Sequence, residues 1–320
     1  MLGPQDVGFR VVVRRIVGIR GNRPQFSDVL GELVEYDGTG VTVAARHGRQ
    51  RIPHAEIHAA KRVPRSAPEI IALERAADLA WPAPTREPLG EWTLRAAEGF
   101  TGRANSALPL GRPGMDRDAA IDAVVRWYAE RGLPARINVP LPVCAALDAA
   151  LTARGWARSP DILVQTAPVA AILAAAPPRA DLPPVRLAPA PDDDWLAVVT
   201  TRKSGLPAAA WHVLTAPPAV RFASVGRNVA VARGAVVDGR LHLGLLEVAD
   251  HARRQGLARH VTRALAEWGA AEGAGTGFLQ VDSTNTAAVG LYASLGFTTH
   301  HEYVTRTAPG LAGQLPRRGG

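Results

Sequence analysis

The chain has 320 residues, a formal net charge of +8 at pH 7 and one cysteine, Cys144. This length predicts two or three domains with a substantial core, and a lone cysteine excludes an intrachain disulfide. The N-terminus lacks a charged-then-apolar pattern, and the most apolar window, 163–178, is broken by prolines. We therefore expect no signal peptide, no membrane span and a cytoplasmic protein.

Positive charge is concentrated in the first fifth of the chain. Residues 1–65 contain eleven Lys/Arg against six Asp/Glu, and Lys61 and Lys203 are the two lysines of the sequence. The excess could attract an anionic partner such as nucleic acid or a phosphate-bearing cofactor. It could also reflect the codon usage of a GC-rich genome, because Ala, Gly, Pro and Arg are abundant.

Residues 1–65 have the pattern of short strands. The stretch "FRVVVRRIVG" is β-branched, "VLGELVEY" alternates apolar and polar residues, and the turn signal "DGTG" precedes "VTVAAR". About five strands without a helical period predict a small β-barrel. The stretch 62–68 is predicted to link this barrel to the next part of the chain.

Residues 68–166 change to a mixed helix and strand pattern. Helices are predicted for "PEIIALERAADLAW", for "DRDAAIDAVVRWYAERG" after the N-cap candidate Asp116, and for "CAALDAALTARG". Strands are predicted for "WTLRAAEGF", "NSALPLG", "ARINV" and "DILVQT". The Ala/Pro-rich stretch 167–184 is predicted to be a second linker.

Residues 185–307 predict a further unit that mixes helices and strands. Its longest helix is predicted to run from Gln255 to about Gly273, directly after the apolar strand "LHLGLLEV". A strand, a short helix and a last strand follow, and residues 308–320 are predicted to be a disordered tail.

The chain contains an internal repeat. The stretch from Leu147 to Thr166 aligns with the stretch from Ala288 to Thr307, so that Gly155 coincides with Gly296. Both copies read helix, strand, helix, Gly-aromatic, strand. We interpret this pattern as a duplicated α/β unit, with chance similarity as the alternative.

The junction "LLEVADHARRQGLA" carries the chemistry. Backbone N–H groups at a helix start bind anions, and the positive end of the helix dipole favours negative charge there. Gly256 and the small Ala258 would let a diphosphate approach the backbone, while Arg253 and Arg254 add charge. The alternative is an ordinary strand–loop–helix junction with surface arginines.

Together with "NTAAVGLYASLGF", which begins at Asn285, this junction resembles the GCN5-related N-acetyltransferase (GNAT) superfamily. Arg253, Gly256 and Ala258 match its R-x-x-G-x-A signature, and Asp250 replaces its usual proline. The resemblance implies an α+β or α/β fold over 185–307, with a mixed, mostly antiparallel sheet, flanking helices and a splayed central strand.

The resemblance also implies acetyl-CoA as the cosubstrate, with no metal. The cofactor-binding residues would then be Leu246, Val248, Arg253, Arg254, Gln255, Gly256, Leu257, Ala258 and Asn285. The backbone at Leu246 and Val248 would pair with the pantetheine arm, and an N–H near Val248 could bind the oxyanion. Asn285 could bond the pantetheine, cap its helix, or do both.

Two side chains are candidates for catalysis. Tyr292 lies where the family places a phenol that protonates the CoA thiolate, and Glu247 lies at the strand end as a candidate base. His251 is a second candidate base. Each of the three could instead be structural or merely exposed.

The first copy of the repeat lacks the phosphate loop, and Leu151 stands where Tyr292 stands. We therefore expect residues 68–166 to be a degenerate GNAT-like half that walls the acceptor pocket, with Arg103 and Asn105 able to face an acceptor. The N-terminal barrel resembles SH3-like domains. The three-part layout resembles a bacterial group described as histone acetyltransferases.

The acceptor is left open by the sequence. The resemblance implies a primary amine on a small molecule or on a basic protein such as a nucleoid-associated protein, and the basic barrel could dock nucleic acid. The loop 202–213 is itself basic, which disfavours a cationic acceptor. The alternative function is a catalytically silent CoA-sensing or nucleic-acid-docking module, and the oligomeric state stays open.

Overall fold

The computed structural model describes residues 2–21, 23–200, 206–227 and 229–310. Its N-terminal part forms one antiparallel sheet with the strand order β4-β3-β2-β1-β5. These strands are β1 (Arg10–Arg20), β2 (Arg23–Tyr36), β3 (Gly40–Ala45), β4 (Gly48–Pro53) and β5 (Ile57–Arg62). The prediction of about five strands is confirmed. The small barrel is not, because in the described residues no ladder joins β4 to β5.

The next part of the chain alternates helices and strands. Its elements are α1 (Ala67–Ala80), β6 (Thr85–Leu89), β7 (Trp92–Ala96), α2 (Arg117–Ala129), β8 (Arg136–Leu141), α3 (Ala145–Ala153), β9 (Ala157–Arg158) and β10 (Ile162–Pro168). Asp116 caps α2 as predicted, since its carboxylate accepts a hydrogen bond from the Asp118 N–H at 2.8 Å. The strand predicted for 105–111 is wrong, because only isolated bridges at Ala107 and Leu108 form there in the described residues.

The remaining elements complete the fold. They are α4 (Val169–Ala175), β11 (Val185–Ala188), α5 (Asp193–Thr200), α6 (Ala208–Thr215), β12 (Ala219–Val225), β13 (Ala230–Val237), β14 (Arg240–Val248), α7 (Leu257–Ala271), β15 (Thr276–Asp282), α8 (Thr286–Ala293) and β16 (Thr298–Thr307). Helix α6 occupies part of the predicted basic loop 202–213, of which 202–205 lie outside the described residues, as do 311–320 of the predicted tail. None of the described helices is long and apolar enough to cross a membrane.

The described part of the chain builds a nine-stranded mixed sheet. Its order is β11-β12-β13-β14-β15-β10-β16-β8, with β9 paired to β16, and β14 and β15 are its parallel neighbours. One face packs on α1, α5 and α6, through buried residues such as Leu73, Trp195 and Val213. The other face packs on α4, α7 and α8, through residues such as Ile172 and Leu265. The predicted mixed, mostly antiparallel sheet with flanking helices is confirmed.

Strand β10, which ends the predicted first half, lies inside this sheet between β15 and β16. It pairs antiparallel with β15 from Ile162↔Asp282 to Pro168↔Thr276. Strand β16, which ends the second copy of the predicted repeat, pairs in the same way with β8 from the predicted first copy. Each copy therefore places its last strand beside the penultimate strand of the other copy.

The predicted linker 167–184 is wrong over its first half, because α4 packs firmly on α7. Arg259 Nη1 donates to the Ala175 carbonyl at 2.9 Å, and Arg263 Nη1 donates to the Ala176 carbonyl at 2.6 Å. These cations meet the C-terminal end of α4, where free carbonyls favour positive charge. Composition alone suggested a linker, whereas two arginines far along the chain hold this helix in place.

Candidate functional site

A cleft opens between β14 and β15. The two strands run side by side from Arg240↔Thr276 to His242↔Phe278, and in the described residues the ladder does not continue beyond this pair. Strand β14 nevertheless continues along β13 as far as Val248. The backbone of β14 after His242 is thus open on the side of β15. The predicted splayed strand is present.

A β-bulge bends β14 in the open part of the cleft. Gly244 pairs with Arg233 and Glu247 pairs with Val231, so two residues of β14, Leu245 and Leu246, oppose one residue of β13. Leu245 has a φ of 53°, which strains a non-glycine residue. Such bulges redirect a strand and commonly lie beside active sites.

The loop after β14 forms an anion cradle at the start of α7. Arg254 has a φ of 65° and Gly256 a φ of 87°, and this left-handed pair turns successive amides the same way. The N–H groups of residues 254–259 donate to no acceptor within the described structure, and the first N–H bonded to a preceding carbonyl is that of His260, to Gly256 O at 3.0 Å. The loop predicted from R-x-x-G-x-A therefore has the geometry of an anion site.

Arg179 lies against this cradle and was missed by the sequence reasoning. A Cβ placed on Gly256 would lie 2.9 Å from Nη1 of Arg179. The guanidinium is held by Asp181, with Nε at 2.6 Å from Oδ1. Arg179 was hidden in the Ala/Pro-rich stretch, where nothing in the local sequence indicates that it reaches α7.

The other side chains of the loop have mainly structural contacts. Arg253 pairs with Asp250 at 2.7 Å and its Nε donates to the Val248 carbonyl at 3.3 Å, which ties the loop to the end of β14. Gln255 Nε2 donates to the His251 carbonyl at 3.4 Å. Leu257, the first residue of α7, is buried in the core. Ala258 is small enough to leave the cradle open.

Tyr292 and Glu247 are within electrostatic reach of each other. Tyr292 is buried and its ring packs edge-on against Phe297, with 5.8 Å between the ring centroids. Burial, followed by the charge of Glu247, raises the pKa of Tyr292 to about 12. The phenol therefore keeps its proton at neutral pH, as a general acid must.

Asn285 and Asn105 both have structural roles. Asn285 caps α8, since its Oδ1 accepts a hydrogen bond from the Ala288 N–H at 3.1 Å. Asn105 is buried and its carboxamide bonds four backbone groups, those of Ala97, Gly99, Phe100 and Thr101. The expectation that Asn105 could face an acceptor is therefore wrong. Arg103, by contrast, lies 3.5 Å from Nε2 of His242.

No group of three or more potential metal ligands was found among the described residues.

Comparison with known proteins identifies relatives that cover most of the chain. The family model "Probable histone acetyltransferase Rv0428c C-terminal" matches residues 67–305. A protein of Mycobacterium tuberculosis called "Probable histone acetyltransferase Rv0428c" is 34% identical over 94% of this chain and 95% of its own length. The "Uncharacterized N-acetyltransferase YobR" of Bacillus subtilis is 28% identical over 74% of this chain and 99% of its own length.

Solved structures share the fold at low sequence identity. A GCN5-related N-acetyltransferase from Kribbella flavida has a TM-score of 0.56 and 17% identity, covering 75% of this chain and 96% of that one. A tandem GNAT protein from the clavulanic acid biosynthesis pathway has a TM-score of 0.50 and 16% identity, covering 77% of this chain and 89% of that one. The nine-stranded assembly in the described residues is therefore of the GNAT type.

Proposed function

The chain belongs to the probable histone acetyltransferase Rv0428c C-terminal family and is a GNAT-type acetyltransferase, and from this premise we propose that it transfers an acetyl group from acetyl-CoA to a primary amine. The observation that carries the proposal is the row of unpaired amides at 254–259, which lies at the end of the open strand β14 in the described structure. A diphosphate fits such a cradle, and the cleft behind it would take the extended pantetheine.

The residues present suit that cosubstrate. Gly256 adds no side chain to the cradle, and a Cβ there would lie 2.9 Å from Nη1 of Arg179, so the glycine lets this guanidinium lie against the backbone. Arg254 and Gln255 add donors beside the amides, and Leu246 and Val248 carry backbone on the unpaired side of β14. Asn285 uses its Oδ1 to cap α8, and we propose that its Nδ2 contacts the pantetheine.

The reaction needs one bond made and one broken. The neutral amine nitrogen attacks the thioester carbonyl carbon, the new C–N bond forms and the C–S bond breaks. Tyr292 would give its proton to the departing sulfur, and Glu247 would take a proton from the amine, with His251 as the alternative base. Backbone N–H groups at the bulge would bind the oxyanion, with the one near Val248 as the first candidate.

We further propose that the predicted halves, 68–166 and 185–307, are duplicated units of which one is degenerate. Two turns support this: the N–H of Trp156 bonds Leu151 O, and the N–H of Phe297 bonds Tyr292 O, each at 3.0 Å. In the alignment of the two units, Leu151 takes the position of Tyr292. Its side chain is fully buried and has no phenol. Only the second unit would then transfer acetyl groups.

The similarity of the N-terminal segment 1–65 to SH3-like modules remains a prediction. Six of its eleven cations, among the described residues, lie within 4 Å of a carboxylate. This pairing neutralises much of the charge that would bind nucleic acid, so it favours a structural role. Salt-sensitive binding of DNA by the whole chain, without turnover of acetyl-CoA, would support the alternative of a docking module.

The test is binding of acetyl-CoA by calorimetry to the wild type and to Gly256→Glu. The new carboxylate would fill the cradle with negative charge, so we expect binding to weaken at least about 100-fold. Gly132→Glu is the matched control, because Gly132 also has a positive φ, of 63°, but lies in open space far along the sequence. Unchanged binding by Gly256→Glu would refute the proposed site.

A further inference from the structure

Four polar side chains gather on the sheet face that packs against α1 and α6. We call them the arginine–histidine cluster: Arg103, Arg233, His242 and Gln280. Arg103 Nη1 lies 3.5 Å from His242 Nε2, and both guanidinium groups lie over the Trp81 ring, at 6.0 Å for Arg103 and 5.0 Å for Arg233. His242 and Arg233 are almost completely buried.

The cluster holds polar atoms that have no partner. Within the described residues, Nε of Arg103, Nη1 of Arg233, Nδ1 of His242 and both carboxamide atoms of Gln280 are buried without a hydrogen bond of normal geometry. Each such group destabilises the folded state unless a partner satisfies it. A built core would not accumulate several of them at one place unless a ligand or ordered water completes the set.

The cluster also lacks a counter-ion. In the described part of the chain, no carboxylate forms an ion pair with Arg103 or Arg233, and the charge that acts on Arg233 is that of Arg103. Burial, followed by this charge, lowers the pKa of Arg233 to about 9, so the guanidinium stays protonated at pH 7. Two cations therefore lie close together without a neutralising anion.

The imidazole of the cluster is neutral. Burial, followed by the charges of Arg103 and Arg233, lowers the pKa of His242. A hydrogen bond with the side chain of Gln280, outside normal geometry, acts in the opposite direction. Because a guanidinium only donates, Nε2 of His242 faces Arg103 as an acceptor and Nδ1 carries the proton. The cluster therefore presents an N–H of His242 in addition to its two guanidinium groups.

The cluster lies beside the reaction centre of the proposed function. Arg233 is the cross-strand partner of Gly244, the residue before the bulge in β14. A Cβ on Gly244 would lie 3.3 Å from Cε1 of His242, so the imidazole leans along β14 toward the bulge. His242 is also the last residue of β14 that pairs with β15 in the described residues. The donors therefore surround the closed end of the cleft, where the acetyl group would point.

We propose that the arginine–histidine cluster binds a carboxylate of the acceptor, so that the substrates are small amines that carry a carboxylate group, such as α-amino acids. This inference rests on the proposed function and narrows its acceptor. The half-buried Arg103 would form the entrance contact, and the Nδ1–H of His242 and the free Nη1 of Arg233 would complete the anion's hydrogen bonds. The carboxamide oxygen of Gln280 would accept from the amine.

A lysine side chain on a basic protein does not fit this cluster. The lysine ammonium, and the other cations of the basic protein, would approach two guanidinium groups that have no counter-ion among the described residues. Like charges would therefore repel each other. The name of the Mycobacterium tuberculosis relative refers to histones. The chemistry of the cluster in this chain points instead to an anionic acceptor.

The test compares acceptors that differ only in the carboxylate. Release of CoA is measured with α-amino acids, with the corresponding amino acid amides and decarboxylated amines, and with a lysine-rich peptide. We expect kcat/KM to be at least about tenfold higher for the carboxylates. Arg103→Ala should remove this preference by raising KM for the carboxylates alone, Arg103→Lys should restore part of it, and Arg112→Ala, at an exposed arginine, should leave it unchanged.

A second readout does not need turnover. In the presence of CoA, N-acetyl amino acids should bind in calorimetry at least about tenfold more tightly than their amides, and Arg103→Ala should abolish the difference. Equal or better use of acceptors without a carboxylate, or equal binding of both kinds of product, would overturn the inference while the acetyltransferase function stands. Failure to bind acetyl-CoA at all would instead refute the proposed function.

Discussion

The imidazole Nε2 of His301 lies 2.8 Å from Oε1 of Glu74, and both side chains are buried. Glu74 belongs to α1 and His301 to β16, so this pair joins two elements that are 227 residues apart in the sequence. The other ring nitrogen of His301 lies 2.9 Å from Nδ1 of His300. A buried polar chain thus connects the helix that follows the N-terminal sheet to the last strand of the fold.

Breaking this pair should destabilise the protein. Glu74→Leu leaves the imidazole of His301 buried without its carboxylate, which should cost about 3 kcal/mol of the free energy of unfolding. Glu74→Gln keeps an acceptor for the same N–H and should cost less. Urea denaturation measures both values. Glu130→Leu, at an exposed glutamate, is the control, and a loss below about 0.5 kcal/mol for Glu74→Leu would contradict the structural role.

Acid should weaken the fold through His300. Burial, followed by the charges of His301 and Arg65, lowers the pKa of His300 from 6.5 to about 3. Below pH 6.5 the unfolded chain therefore binds a proton that the folded chain refuses, so stability is full above that pH and falls as the pH drops toward 3.

Unfolding free energies at about pH 7 and about pH 5, on either side of the unperturbed histidine pKa, test this. The loss should be smaller in His300→Gln than in the wild type, whereas His47→Gln, at an exposed histidine, should match the wild type. His242 lowers stability in acid in the same way, and Glu32 and Glu302, whose pKa values are raised, act in the opposite direction. These groups are present in the wild type, in His300→Gln and in His47→Gln. If the stability of His300→Gln depends on pH in the same way as that of the wild type, His300 contributes nothing to the loss of stability in acid.

Removing the phenol of Tyr292 should slow catalysis without weakening cosubstrate binding. Tyr292→Phe keeps the ring contact with Phe297 but loses the proton donor, so kcat should fall about 100-fold while KM for acetyl-CoA stays within about twofold. Tyr303→Phe is the control, because Tyr303 is buried on the opposite face of the sheet. A kcat equal to that of the wild type would remove Tyr292 from the mechanism.

Arg179 should contribute to binding the cosubstrate's phosphates. Arg179→Ala removes a cation that lies against Gly256, so KM for acetyl-CoA should rise about tenfold at low salt, with kcat unchanged. The effect should shrink as ionic strength increases. Arg186→Ala is matched to it, because Arg186 is also exposed and paired with an aspartate, Asp192. Similar KM values for both variants would show that Arg179 does not reach the ligand.

Much of the site could be predicted from the sequence because its signals are local. The cradle at 254–259 depends on the left-handed pair Arg254 and Gly256 and on the start of a helix, and R-x-x-G-x-A encodes the glycine and the helix start. Leu245 and Leu246 lie in an apolar strand, and the sequence predicted its end correctly. Arg179 and the arginine–histidine cluster could not be predicted, because Arg103, Arg233 and His242 come from separate elements and meet only in the folded chain.

The order of strands was also beyond sequence reasoning. In the predicted repeat, β10 and β16 are equivalent strands. β10 has seven mostly apolar residues and β16 has ten mostly polar ones, but neither pattern says which strand will lie beside it. The fold resolves this by pairing β10 with β15 and β16 with β8. Likewise, the Ala/Pro composition of 167–184 indicates a linker, although Arg259 and Arg263 fix α4 from a distance.

The interleaved strands lead to a prediction about fragments. A chain of residues 185–307 would lack β10, which in the whole protein separates β15 from β16 and bonds to both. Strand β15 would then present an open edge. Strand β16 would lose β8, β9 and β10, which are all the strands it pairs with in the described residues, and open edges promote aggregation. We expect this fragment to be insoluble or unfolded by circular dichroism. Co-expression of 1–184 with 185–320 should give a soluble complex, because all the strands are again present.

The matched control is a cut at the other boundary. Residues 66–320 keep every strand of the nine-stranded sheet described here, whereas β1 to β5 form a ladder of their own. The link across this boundary includes the partly exposed ion pair Arg10–Glu69, and such a pair contributes little to stability. We therefore expect 66–320 to remain folded, with a cooperative thermal transition. A stable monomeric 185–307 fragment would instead mean that β16 can take the place of β10 beside β15. The insertion of β10 between β15 and β16 would then not be needed for folding.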